Sequence, residues 1–185
     1  MASCNPTKLF ETDTSHLRPF HPTNLEFLLE LESDEEVMKT TGIGRALEPE
    51  RIEERLQKLL AAKPEALGVF AAASPQTDEP LAWVMLRPTS FCHPELCFML
   101  PKRLWGQGIA TRAALAALRY GFDSLRLKHI YATTSRTNDA SMRVLAKCGF
   151  LPDETHNGEL NVHVTTRPNA SADSSSGTSG SEPTI

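Results

Sequence analysis

Two glycines two apart, Gly106 and Gly108, stand in the stretch LPKRLWGQGIAT, directly after an apolar run and directly before helix-forming residues. Glycine inside an element costs roughly 1 kcal/mol relative to alanine, so the pair marks a tight turn or a close approach of backbone to a ligand. A turn that leaves a strand and enters a helix exposes free N–H groups at the helix start. The helix dipole adds positive potential there, and the combination suits an anion. A P-loop would end in Gly-Lys-Ser/Thr, which is absent. A dinucleotide fingerprint would have a third glycine where Thr111 stands, and would open a parallel sheet. Close packing of helix on sheet is the alternative use for such glycines.

A second chemical candidate is Glu95. On a strand Glu95, Cys97 and Met99 share one face and Leu96, Phe98 and Leu100 the other. A carboxylate on a core strand is costly without a task or a partner; a solvated acid at the strand edge is the alternative. A third candidate is the stretch NDASMRVLAKCGF. Asn138 can cap a helix there, and Ser141, three residues on, lies on the same helical face.

The elements that must position these groups follow from periodicity. Residues 8–19 read as an opening strand, ended by Pro19 and Pro22. TNLEFLLELE has helical spacing at Leu25, Leu28, Leu29 and Glu32. In SDEEVMKT, Ser33 followed by Glu36 reads as a capping box that starts a short helix. Residues 48–61 form an amphipathic helix entered at Pro49. LGVFAAA, PLAWVMLRP and HPELCFML are short apolar runs parted by turn-formers, which predicts a three-strand meander. After the glycine turn a helix runs from Ile109 to about Phe122, with Ala110, Ala114, Ala117 and Leu118 against a sheet. KHIYATTS is a further strand, and the Asn138 helix ends in a glycine cap at Gly149. FLPDETHNGELNVHVTT reads as a closing hairpin around Asn157-Gly158. From Arg167 the chain is rich in serine and glycine, a disordered tail over 167–185.

Bulk properties narrow the function class. A chain of 185 residues has room for one domain with a sizeable core. Net charge of −4 argues against nucleic acid as the main partner. The opening segment lacks a basic stretch followed by an apolar run, and no window approaches eighteen apolar residues. Neither secretion nor membrane spanning is signalled, and the default compartment is the cytoplasm. Cys4, Cys92, Cys97 and Cys148 form no CxxC pair and read as reduced and structural. The six histidines show no ligand spacing, so no metal is expected.

The pattern Arg103-Leu-Trp-Gly106-Gln-Gly108-Ile-Ala110 resembles the Q/R-x-x-G-x-G/A signature of the GCN5-related N-acetyltransferases (GNAT). NDASMRVLAKCGF is similar to the Asn-x-x-Ser…Lys-x-Gly-Phe helix of the RimJ/RimL-like subgroup, which acetylates ribosomal protein N-termini; LRPF…SDEEVMK resembles that subgroup's opening. The resemblance covers residues 8–166. It implies a single α/β domain, a mixed but mostly antiparallel twisted sheet flanked by helices, and acetyl-CoA as acyl donor. It also implies that the signature from Arg103, with amides around Gly106, Gln107, Gly108, Ile109, Ala110 and Thr111, holds the pyrophosphate. The strand through Phe98, Met99 and Leu100 would splay so that its backbone bonds the pantetheine arm, with Asn138 against that arm.

Acetyl transfer from a thioester to an amine needs a neutral amine, a stabilised oxyanion and a tolerated thiolate. By resemblance Glu95 is the base, directly or through water, and an amide near Phe98 or Met99 faces the oxyanion. Many relatives carry a tyrosine seven residues after the asparagine. Leu145 stands there and cannot donate a proton, so Ser141 is the substitute acid; a helix hydroxyl bonded to a backbone carbonyl is its other reading. A thiol of pKa about 8.5 needs no strong acid to leave. The acceptor is a primary amine, either a protein N-terminal α-amino group or a small molecule such as an antibiotic. A silent CoA-binding module is the reading from another class, and a homodimer is compatible with all of these.

Overall fold

The computed structural model describes residues 9–12, 15–62, 67–89, 94–153 and 160–166. Eight strands form one sheet, β1 (Phe10–Thr12), β2 (Ser15–Arg18), β3 (Gly68–Ala73), β4 (Pro80–Arg87), β5 (Glu95–Met99), β6 (His129–Ser135), β7 (Leu151–Pro152) and β8 (Leu160–Thr166). Their order is β1-β2-β3-β4-β5-β6-β8-β7. Every neighbouring pair is antiparallel except β5–β6. The expected α/β architecture, with a β3–β4–β5 meander, is therefore present.

Alternation along β4 and β5 divides the core into two layers. Ala82, Val84, Leu86, Leu96 and Phe98 pack with α4 (Ile109–Arg119) and α5 (Asp139–Lys147) on one face. Trp83, Met85, Cys97 and Met99 pack on the other with α1 (Leu25–Glu32) and α3 (Pro49–Ala61). A short α2 (Glu35–Met38) follows α1 in the chain and packs against it. Alanines at 113, 114, 116 and 117 are all buried, which lets α4 lie close against the sheet. Among the described residues no helix is long and apolar enough to cross a membrane.

Three local expectations change. The opening strand is a hairpin, β1–β2, with Phe10 opposite Leu17, and the Thr12 hydroxyl donates to the Ser15 carbonyl at 2.6 Å. The α2 cap is Asp34, not Ser33: Asp34 Oδ1 accepts from the amides of Glu36 (2.8 Å) and Val37 (3.3 Å). Ser33 instead donates back to the Leu29 carbonyl at 2.6 Å, because it still has helical backbone as the last residue of the α1 turn. The helix from Ile109 stops at Arg119 and widens into a π turn over Tyr120–Ser124, closed by the Leu125 amide on the Tyr120 carbonyl at 3.1 Å. Gly121 in that turn lies so close to Ile130 that a Cβ would stand 2.7 Å from its Cδ1.

At the end of α5 the Phe150 amide bonds the Leu145 carbonyl (3.0 Å) and the Gly149 amide bonds that of Ala146 (3.1 Å). With Gly149 at φ +80° this is a Schellman cap, as the glycine predicts. The Asn157-Gly158 turn and the segment from Arg167 lie outside the described residues.

Candidate active site

Strands β5 and β6 share one register pair, Glu95 with Tyr131. The Tyr131 amide bonds the Pro94 carbonyl at 2.8 Å, which fixes the side of β5 that faces β6. Backbone groups alternate sides along a strand. Leu96, Phe98 and Leu100 therefore aim theirs toward β6, while Cys97 and Met99 aim theirs at β4. Beyond Glu95 the two strands part, and the row on Phe98 and Leu100 meets no strand. Between the two amides raised by sequence, that of Phe98 is the one directed into the gap. The Leu100 carbonyl is taken by the Trp105 indole N–H at 2.9 Å.

A cleft of about 1260 Å³ opens from this fork. Its wall includes Phe98, Met99, Leu100, Gly106, Gly108, Ile109, Ala110 and Thr111, together with Glu95, Asn138 and Ser141. Gly106 (φ +74°) and Gly108 (φ +72°) both take left-handed backbone. A Cβ at Gly106 would meet nothing within 4 Å, and one at Gly108 only the Arg112 guanidinium at 3.5 Å. Tight packing is therefore not what these glycines serve; the turn's conformation and its open face are. Gly108 is the N-cap of α4, with no side chain capping the first turn and no acid in it. The amides of Ile109, Ala110 and Thr111 precede the first intrahelical bond, Arg112 N–H to the Gly108 carbonyl at 3.1 Å. Donors at an uncapped helix start suit a pyrophosphate.

Two signature residues sit differently. The Arg103 guanidinium makes a forked pair with Glu30 of α1, at 2.7 and 3.1 Å. Gln107 Nε2 donates to the Arg103 carbonyl at 2.7 Å, bracing the turn. Neither side chain is part of the cleft wall.

Glu95 is 4% exposed, and both its oxygens are engaged. Arg87, opposite it in the β4–β5 pair, donates to Oε2 from Nε at 2.7 Å, and the Thr133 hydroxyl donates to Oε1 at 2.5 Å. The hydrogen bond to Glu95 is the largest effect holding the Arg87 guanidinium pKa above its ordinary value. A carboxylate oxygen has two acceptor sites, so Oε1 keeps one beside Thr133. Sequence reasoning missed both partners. Arg87 depends on the β4–β5 register and Thr133 on the β5–β6 register, and neither is written in the local sequence.

Asn138 is the N-cap of α5, and its Oδ1 accepts from the Ser141 amide at 3.1 Å. The Ser141 hydroxyl bonds no described residue. Leu145 is 1% exposed and forms an apolar part of the cleft wall. Cys97 also lines the cleft, but burial, and secondarily Glu95, push its thiol up to about 12. At neutral pH it is a poor nucleophile. Among the described residues no group of three His, Cys, Asp or Glu side chains could hold a metal ion.

Residues 16–151 match the family model of the acetyltransferase (GNAT) domain. The chain belongs to the GNAT acetyltransferase family. Among curated relatives is the FsC-acetyl coenzyme A-N(2)-transacetylase of Aspergillus fumigatus, 28% identical over 148 residues, which are 75% of this chain and 63% of that protein. The chain thus spans less than two thirds of that relative. A solved GNAT structure, the spermidine N-acetyltransferase of Vibrio cholerae in complex with CoA and spermine, superposes with a TM-score of 0.67 at 20% identity, over 84% of this chain and 96% of that one. The ribosomal-protein-S5-alanine acetyltransferase of Vibrio fischeri gives 0.64 at 17% identity, over 86% and 97%. At these identities the structures speak for the shared GNAT fold.

Proposed function

We propose that this GNAT domain transfers the acetyl group of acetyl-CoA to a primary amine. The observation that carries the reading is the fork. Unpaired backbone of β5 and the uncapped start of α4 open into the same cleft, with Glu95 at the point where the strands part. Acetyl-CoA supplies a thioester, an acyl donor activated toward amines.

In this reading the amides at 109–111 and the turn from Gly106 bind the pyrophosphate, and the β5 backbone at Phe98 orients the arm. Asn138 contributes from the start of α5. Glu95 takes the amine's proton through its free acceptor site beside Thr133, directly or by way of a water. The Phe98 amide is the donor on hand where the carbonyl oxygen gains charge. Ser141, whose hydroxyl bonds no described residue, serves the departing sulfur. With Cys97 held protonated, direct attack by the amine is favoured over an acyl-cysteine route.

The Asn138–Phe150 motif supports a RimJ/RimL-like acceptor, a protein N-terminal α-amino group. A second reading is a small-molecule amine, the kind of acceptor named for the spermidine N-acetyltransferase that shares the fold. Free-thiol release from acetyl-CoA with a panel of amines and N-terminal peptides tests both. Acetyl-CoA binding without turnover on any amine would leave a silent CoA-binding module.

A further inference from the structure

The acceptor half of the cleft faces the α1–α3 layer, and its charges do not balance. Its floor is apolar, with Val69, Trp83, Met85, Met99 and Leu59 in the wall. Around that floor stand Lys39, Arg55, Lys58 and Arg87 against Glu36 and Glu95. Each carboxylate already has a cation. Glu36 pairs with Lys102, and Glu95 with Arg87. Arg55 is held by the buried Glu32, through Nε at 2.8 Å and Nη2 at 3.1 Å. Lys39 and Lys58, both exposed, make no ion pair with any described residue. Lys39 stands within Coulombic reach of Glu36 but does not bond it; Lys102 does. The Trp83 indole N–H of that floor is a buried donor without an acceptor among the described residues.

The described wall therefore offers donors and surplus positive charge, and no spare carboxylate for a second ammonium. This occurs on a chain whose net charge is −4, so it is a local feature, not a reflection of composition. Resting on the acetyl-transfer reading above, we infer that the acceptor is an amine whose apolar body carries an anionic group, received by Lys39 and Lys58, and that polyamines are poor acceptors. A carboxylate is the simplest such group. Each exposed lysine adds modest free energy, so the two together give a preference of about tenfold. Because both charges are solvent-facing, the preference should shrink as salt is raised.

The test uses the full chain and acetyl-CoA with three probe amines: 4-(aminomethyl)benzoate, its neutral amide 4-(aminomethyl)benzamide, and spermidine. The expected order of kcat/KM is acid over amide by about tenfold, with spermidine last and the acid-to-amide difference mainly in KM. The double variant K39E/K58E should bring the acid-to-amide ratio to one or below, while the KM for acetyl-CoA stays put. If acid and amide are acetylated equally, or spermidine fastest, the inference falls and the acetyl-transfer reading stands. A tenfold ratio untouched by the charge reversal would also overturn the assignment to these lysines. If none of a broad amine panel releases thiol, both fall together.

Discussion

The two glycines of the turn carry different information from the acid on β5. At Gly108 the φ of +72° is one that a β-branched residue resists, at a cost of roughly 1–3 kcal/mol. Gly108→Val should therefore distort or block the start of α4. Calorimetry should show acetyl-CoA affinity falling at least tenfold in a protein that still folds; unchanged affinity would remove the turn from the donor site. Glu95→Gln keeps the shape and removes the basicity, and should lower kcat by roughly 10²–10⁴ with little change in acetyl-CoA affinity. Retention of most turnover at pH 7 would mean the amine loses its proton elsewhere. Both residues were legible in the sequence, the first because glycine pairs are costly inside elements, the second because a carboxylate interrupts a core strand. Their partners were less so. Arg103 carries the signature's charge, yet its guanidinium goes to Glu30, a contact between residues 73 apart that no local pattern encodes.

Element boundaries were readable where a single residue dictates them. Pro49 opens α3 and Gly149 closes α5 at the expected places. They were misread where neighbours compete for one role. Ser33, Asp34 and Glu36 contain every group a capping box needs, but α1 retains Ser33 and leaves Asp34 to cap α2. Asp34→Ala should thus cost about 1 kcal/mol, whereas Ser33→Ala should leave stability nearly unchanged, as measured by urea denaturation. A larger loss at Ser33 would restore the capping box. The π turn after α4 was invisible for a different reason: it answers to the contact of Gly121 with Ile130, which belongs to the sheet.

For the molecule as a whole, the half-buried Cys97 and the buried Cys148 set an alkaline limit. Burial raises Cys97 from 9.0 to about 12 and Cys148 to about 11. Below pH 9 the thiols keep their protons in both folded and unfolded chains, and this contribution to stability is fully present. Above it the unfolded chain releases protons that the folded one retains, so stability should fall with pH between 9 and about 12. Cys97→Ala should flatten that slope in part, with Cys148 and Tyr120, whose phenol burial also raises, contributing to what remains; an unaltered slope would contradict the enclosure of Cys97. The α/β architecture was legible at this scale because the two-residue and 3.6-residue periods are distinct along the chain. The charge surplus around the cleft floor was not, since Lys39 and Lys58 come beside it only when the helices pack on the sheet.

The parting of β5 from β6 has a thermodynamic consequence as well as a chemical one. A sheet ordinarily exposes its unpaired backbone at two outer margins, where charge, bulges or cover can guard it. This one has a third margin, in its interior, at the residues proposed to receive the donor. Backbone groups left open in this way bond water until a partner replaces it, and in the proposed reading that partner is the extended, hydrogen-bonding arm of the donor. Acetyl-CoA should then act as a removable strand, its occupancy adding about 2.7 kcal/mol to unfolding at one hundred times Kd. In a thermal melt that gain appears as a several-degree rise in Tm that desulfo-CoA, with the same arm but no thioester, reproduces.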